Sequence, residues 1–194
     1  MVPKWLIFNN ATIAEVQDLD FFDSLVRYPN ELYKENVMGL FKKKVPIKDY
    51  CHKKFDFIFS ESGKNFMDGL IEKAGISLNE DYRDHYYENF IAAYFELTEI
   101  AFSRNLCRDL RYEAMDIFSE YLAAKKAIKI EPLMRNFNSA FGSSYDDGIK
   151  PMATLFVNHT WGESNPDIEK YFYGIFFGII EAFLKDLKAV KITQ

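Results

Sequence analysis

The residues best spaced for chemistry are Asp81, His85 and Glu88. They recur at i, i+4 and i+7, which puts two carboxylates and an imidazole on one side of a helix, a set that could face one metal ion. A carboxylate-bridged metal bundle also needs Glu-x-x-His pairs on two further helices. That motif occurs nowhere in the chain. The three residues also lie opposite the apolar side of their own helix, where an amphipathic helix ordinarily carries solvated charge. No metal and no cofactor is expected.

The three histidines, His52, His85 and His159, come without a Gly-x-Ser-x-Gly elbow or a Cys-His signature. Those are arrangements that activate a nucleophile. No catalytic residue is expected, and the balance falls against an enzyme. Cys51 and Cys107 are too few for a disulfide scaffold and read as free thiols of a reducing cytoplasm. Lys42, Lys43, Lys44, Lys48, Lys53 and Lys54 could hold phosphates. However, residues 1–75 carry eleven basic and eleven acidic side chains, so the cluster reads as a helix C-terminus plus a solvated face. The net charge of −5 argues against general nucleic-acid binding, and no glycine-rich phosphate loop is present.

Two functional expectations remain, reached largely by elimination. The first is a cytosolic protein-interaction factor of inhibitor, immunity or adaptor type. Its binding surface would be an acidic helical face made of Asp81, Asp84, Glu88, Glu96 and Glu99, meeting a basic partner protein. Complementary charge of this kind speeds association and sets specificity. The alternative is a helical small-ligand or cofactor-binding protein with an aromatic-lined internal pocket. Tyr86, Phe90, His159, Trp161, Tyr173 and Phe176 would line it, since helical bundles build such pockets between facing helices.

The elements that must position these residues are helices. The chain of 194 residues has few Gly and Pro and 48% hydrophobic residues, enough for one α-helical domain over 1–194 with a sizeable core. The fold expected is all-α, a bundle-like domain of about seven or eight helices around a hydrophobic C-terminal helix. That helix contains Tyr171–Leu184, the most apolar stretch of the chain. Its uncharged run, Tyr171–Ile180, is only ten residues, whereas a membrane span needs about 20. A core helix and no membrane span are expected. Lys170, Gly174, Glu181, Lys185 and Lys188 fall on one narrow stripe of it at about 100° per residue. Gly178 sits at the margin. Gly174 and Gly178 therefore mark either a narrow exposed strip of the helix or a close approach by a neighbouring backbone, which makes a homodimer if a second chain supplies it.

Local signals set the other boundaries. A capping box at Thr12–Glu15 opens a helix to Arg27, and Asn30 caps a second that ends in Lys42–Lys44, with Pro46 as its stop. Helices are expected over 49–59, from a cap at Ser62 to a stop at Gly75, over 78–104, over 110–125 and from Pro132 to a stop at Gly142. Ser143–Gly148 reads as a loop and Pro151–Thr160 as one more helix. Ser164 or Asn165 then caps the C-terminal helix. The helix over 78–104 is expected to be amphipathic, with Tyr82, Tyr86, Phe90, Ala93, Leu97 and Ile100 inward. No strand pair is expected, because no hairpin signal joins two apolar runs.

Overall fold

Local chemistry fixes most of the helix ends. In this structure, a computed structural model, residues 42–194 are described except 79, 126, 128 and 141–144; at 81 and 145–147 only the backbone is described. The expected helices over 12–27 and 30–41, the lead-in Trp5–Phe8 and the stop at Gly142 lie outside the described residues. Helix α1 (Ile47–Ile58) follows directly on Pro46. Helix α2 (Glu61–Lys73) is capped by Ser60 rather than Ser62: the Ser60 hydroxyl accepts from the Gly63 amide at 3.2 Å. Gly75 closes α2 with φ 64, and the next amide, Ile76, donates to the Ile71 carbonyl at 3.1 Å. Glycine suits that left-handed turn because it has no Cβ to clash.

Four helices follow: α3 (Glu80–Asn105), α4 (Arg108–Ala124), α5 (Ile130–Ser139) and α6 (Tyr145–Trp161). The last, α7 (Pro166–Ala189), begins where Asn165 Oδ1 accepts from the amides of Asp167 and Ile168 at 3.1 and 3.2 Å. Pro166 fits the first helical position, which needs no donor. The described residues thus form an all-α arrangement of seven helices around one apolar core. None of these helices is long and apolar enough to cross a membrane.

Three expectations are corrected. Lys42–Lys44 does not end a helix; Lys43–Pro46 is a strand, β1, paired in parallel with β2 (Val190–Thr193). No hairpin signal announces this sheet because the partner lies at the far end of the chain, across all seven helices. The loop expected over 143–148 is also shorter, since α6 starts at Tyr145 and carries Pro151 inside. Proline forfeits one helix bond, but Ile149, Met152 and Ala153 are buried on either side of it and hold the helix through that point.

The third correction concerns α3. It is not an amphipathic surface helix. From Phe90 to Phe102 every residue except Ile91 and Glu99 is buried. Helices α5, α6 and α7 pack along it, with α2 and α4 completing the enclosure. Between Phe90 and Phe102 α3 is enclosed on all sides, and the hydrophobic C-terminal α7 packs along it as the second central helix. Helix α7 buries Phe172, Ile175, Phe176, Ile179, Ile180, Phe183 and Leu184 and leaves a stripe outward. Tyr173 and Phe177 stand on that stripe, 41% and 47% exposed. A Cβ added at Gly174 would meet nothing within 4 Å, so among the described residues no backbone approaches there.

Candidate functional site

The five carboxylates read as one acidic surface are not brought together as one. Asp84 is exposed and Glu88 half-buried, both in the first turns of α3. Glu96 is 4% exposed, in the core. Its Oε2 accepts from Asn138 Nδ2 on α5 at 3.1 Å. Burial pushes its carboxyl up to about 7; the Asn138 bond opposes this and the nearby Glu99 adds to it. Glu99 pairs with Arg111 of α4 at 2.9 Å. Only the backbone of Asp81 is described. A basic partner would therefore meet Asp84 and Glu88, while Glu96 and Glu99 tie α3 to its neighbours. Sequence periodicity misplaced them because a carboxylate inside a fully enclosed helix looks the same as one on an outer face.

The aromatic set divides differently. Tyr86, Phe90, Trp161 and Phe176 are buried and lie in one cluster with Phe156 and Phe172. Phe156 is its centre: its ring centroid is 4.5 Å from Phe172, 5.3 Å from Phe176, 6.0 Å from Tyr86 and from Trp161, and 6.1 Å from Phe90. Offset and edge-on contacts at these separations are the favoured aromatic geometry. Tyr173 and His159 stand outside the cluster. Tyr173 faces outward on α7. His159 is exposed, edge-on to Phe137 at 6.0 Å.

The polar atoms within this region matter most. The Tyr86 hydroxyl donates to the Met67 carbonyl at 2.8 Å, and burial raises its pKa well above the usual tyrosine value. It is satisfied and neutral. Among the described residues three other buried atoms have no hydrogen-bond partner: Asn89 Oδ1, Thr160 Oγ1 and Trp161 Nε1. Asn89 spends its amide on the His85 carbonyl at 2.8 Å, which leaves the oxygen over. Trp161 lies against Tyr86, ring centroids 6.3 Å apart, and Asn89 is one turn along α3 from Tyr86. The orphan atoms therefore gather toward the N-terminal part of α3 and the C-terminal end of α6, two helices in direct contact.

The chain matches no family model, no curated protein and no solved structure. Its chemistry must be argued from this geometry. Cys51 is buried and its thiol is pushed up to about 12, by burial first and then by Glu113, so it is neither thiolate nor nucleophile at neutral pH. Cys107 is exposed. His52 lies edge-on to Tyr121 at 5.9 Å. Among the described residues no group of three His, Cys, Asp or Glu side chains could hold a metal ion. The set of Asp81, His85 and Glu88 lies partly outside that description.

Sequence reasoning missed Asn89, Thr160, Phe156 and Phe172. Asn89 had a signal: it is a polar residue between Tyr86, Phe90 and Ala93, where an apolar face would be continuous. Thr160 had none, since a threonine at a helix end fits a surface equally well.

Proposed function

We propose that the protein binds a small neutral molecule at the junction of α3, α6 and α7, beside the aromatic cluster. The observation that carries this reading is the trio of buried, unpartnered atoms Asn89 Oδ1, Thr160 Oγ1 and Trp161 Nε1. Leaving a buried donor or acceptor unsatisfied costs about 1–3 kcal/mol each, and native proteins pair almost all such groups with protein, water or ligand. The trio offers one acceptor, one donor and one hydroxyl that serves as either. The Trp161 ring lies against Tyr86, Phe156 and Phe172. These features favour a compact ligand with an apolar body and both a donor and an acceptor. A charged ligand would be penalised by desolvation, since no charged side chain stands in the trio.

Native mass spectrometry of the freshly purified full chain tests this, followed by solvent extraction and analysis of what is released. An adduct that disappears in Trp161→Phe and Asn89→Leu would support the reading. The tryptophan signal gives a second readout: with Trp5→Phe, emission comes from Trp161 alone and should shift when the extracted molecule is added back. A bare chain mass, together with a Trp161 emission unmoved by a library of small amides and phenols, would leave only water to satisfy these atoms and end the proposal.

A further inference from the structure

The lysines judged in sequence as one scattered cluster are joined, in the fold, by a second group from the opposite end of the chain. The parallel pairing of β1 and β2 sets Lys43 opposite Val190 and Lys44 opposite Lys191. Lys42, Lys43, Lys44 and Lys48 are exposed, and so are Lys185, Lys188 and Lys191. Lys53 is half-buried beside them, held below its ordinary pKa by burial first, with Lys54 and Lys43 adding to the shift and Asp186 opposing it. Lys54 itself is buried and paired with Asp186. The exposed carboxylates closest in sequence to these lysines are Asp49, Asp56 and Glu181, and Asp56 accepts from the Tyr121 hydroxyl. On a chain of net charge −5, this end carries more exposed lysines than exposed carboxylates among the described residues.

Two features say that the positive end is more than a solvated surface. Like charges set directly opposite across a strand pair repel, and the β1–β2 register holds Lys44 and Lys191 in that arrangement, both exposed. In addition, the same outward stripe of α7 carries exposed aromatic residues. Lys170, Tyr173, Phe177, Glu181, Lys185 and Lys188 fall within an arc of about 120°, over a rise of about 27 Å. Tyr173 and Phe177 are two of the three exposed large hydrophobic side chains among the described residues.

We propose that this face docks the protein on an anionic phospholipid bilayer, with lysines on the headgroups and Phe177 and Tyr173 at the headgroup–acyl boundary. Clusters of four to eight basic residues attract anionic leaflets, and aromatic side chains anchor amphipathic surfaces at that depth. Among the described residues of this patch there is no arginine. Arginine's planar fork is what specific phosphate and base recognition prefers, whereas lysine supplies diffuse point charge. That distinction favours a lipid surface over a nucleic acid.

Vesicle co-sedimentation of the full chain decides the matter, comparing pure phosphatidylcholine with vesicles containing about one-third phosphatidylserine, the anionic fraction that gives the lysines a charged surface to meet. Binding should require phosphatidylserine and weaken as salt screens the charge. Each exposed lysine neutralised should reduce binding about fivefold, so Lys44→Gln with Lys191→Gln should lose roughly 30-fold. Phe177→Ser should weaken binding while leaving its salt dependence unchanged, and Tyr112→Ser on α4 should do nothing. Equal binding to both vesicle types, no binding to either, or indifference to the lysine pair would overturn the proposal. So would an oligonucleotide or an acidic protein that binds this face more tightly than the vesicles do.

Discussion

Glu96 shows how one buried carboxylate sets a pH dependence. Its folded-state pKa, about 7, lies above the ordinary glutamate value of 4.5. The folded protein therefore binds the Glu96 proton more tightly than the unfolded chain does. Below the unfolded pKa the group is protonated in both states and has no effect. As pH rises through the window from about 4.5 to 7, the unfolded chain ionises first and stability is lost. Above that window the loss is complete, roughly 3 kcal/mol at about 1.4 kcal/mol per pKa unit. Glu96→Gln keeps an acceptor for Asn138 and removes the charge. It should leave stability nearly unchanged near pH 4.5 and raise it by about 1–3 kcal/mol at pH 8. Urea denaturation of both proteins at the two pH values checks this. An equal gain at both would mean that burial of Glu96 carries no charge penalty.

At the scale of elements, α2 offers a matched comparison. Its two glycines look alike in sequence, but a Cβ at Gly63 would sit 2.3 Å from the Phe57 carbonyl oxygen and 2.8 Å from that of Ile58. At Gly69 it would meet nothing within 4 Å. Gly63→Ala must push the start of α2 off the end of α1 and should destabilise by about 1–3 kcal/mol. Gly69→Ala should stabilise by about 0.5–1 kcal/mol through helix propensity alone. Thermal melts of the two variants should move in opposite directions, and shifts of the same sign would mean that the α1–α2 corner is not so close. The joint of α1 to α7 is electrostatic. Lys54 pairs with Asp186, their side chains 9% and 11% exposed, and Lys54 also lies over the Phe183 ring at 5.4 Å. Lys54→Met should cost about 3–5 kcal/mol by stranding Asp186, and adding Asp186→Leu should recover much of it; a double mutant no better than the single would show that the pair itself is strongly favourable. These local rules explain what was legible. The cap at Asn165 and the stop at Gly75 are contained in a few adjacent residues, so they could be read directly. The start of α6 and the burial of α3 could not, because neighbours decide both. Glu96 looks like a surface residue until α5 supplies Asn138. The same holds for the candidate site: four of its aromatic residues were legible as apolar positions, but the orphan atoms appear only when α3 and α6 meet.

At the scale of the whole molecule, the feature least visible in sequence is the closure of the chain. Strand β1 enters α1 and strand β2 leaves α7, so their parallel pairing joins the two ends of the described fold across every helix between them. Parallel pairs require a crossover connection; here the crossover is the entire helical domain. The pairing buries Val190 and half-buries Val45 and Ile192 against α1 and α7, while Lys44 and Lys191 repel on the outside. Its net worth is thus apolar burial and ladder hydrogen bonds minus charge repulsion. Fully burying a valine or isoleucine contributes about 1.5–3 kcal/mol. Removing residues 190–194 should then lower stability by roughly 3 kcal/mol, a deficit that grows with added salt because the repulsion that offsets it in the intact chain is then screened. The seven helices keep their common core, so unfolding should remain one cooperative transition with a lower urea midpoint and a slope reduced only in proportion to the surface lost. A second, early transition confined to α1 would instead show that the strand pair is what binds that helix to the rest, and an unchanged midpoint would show that the closure contributes nothing.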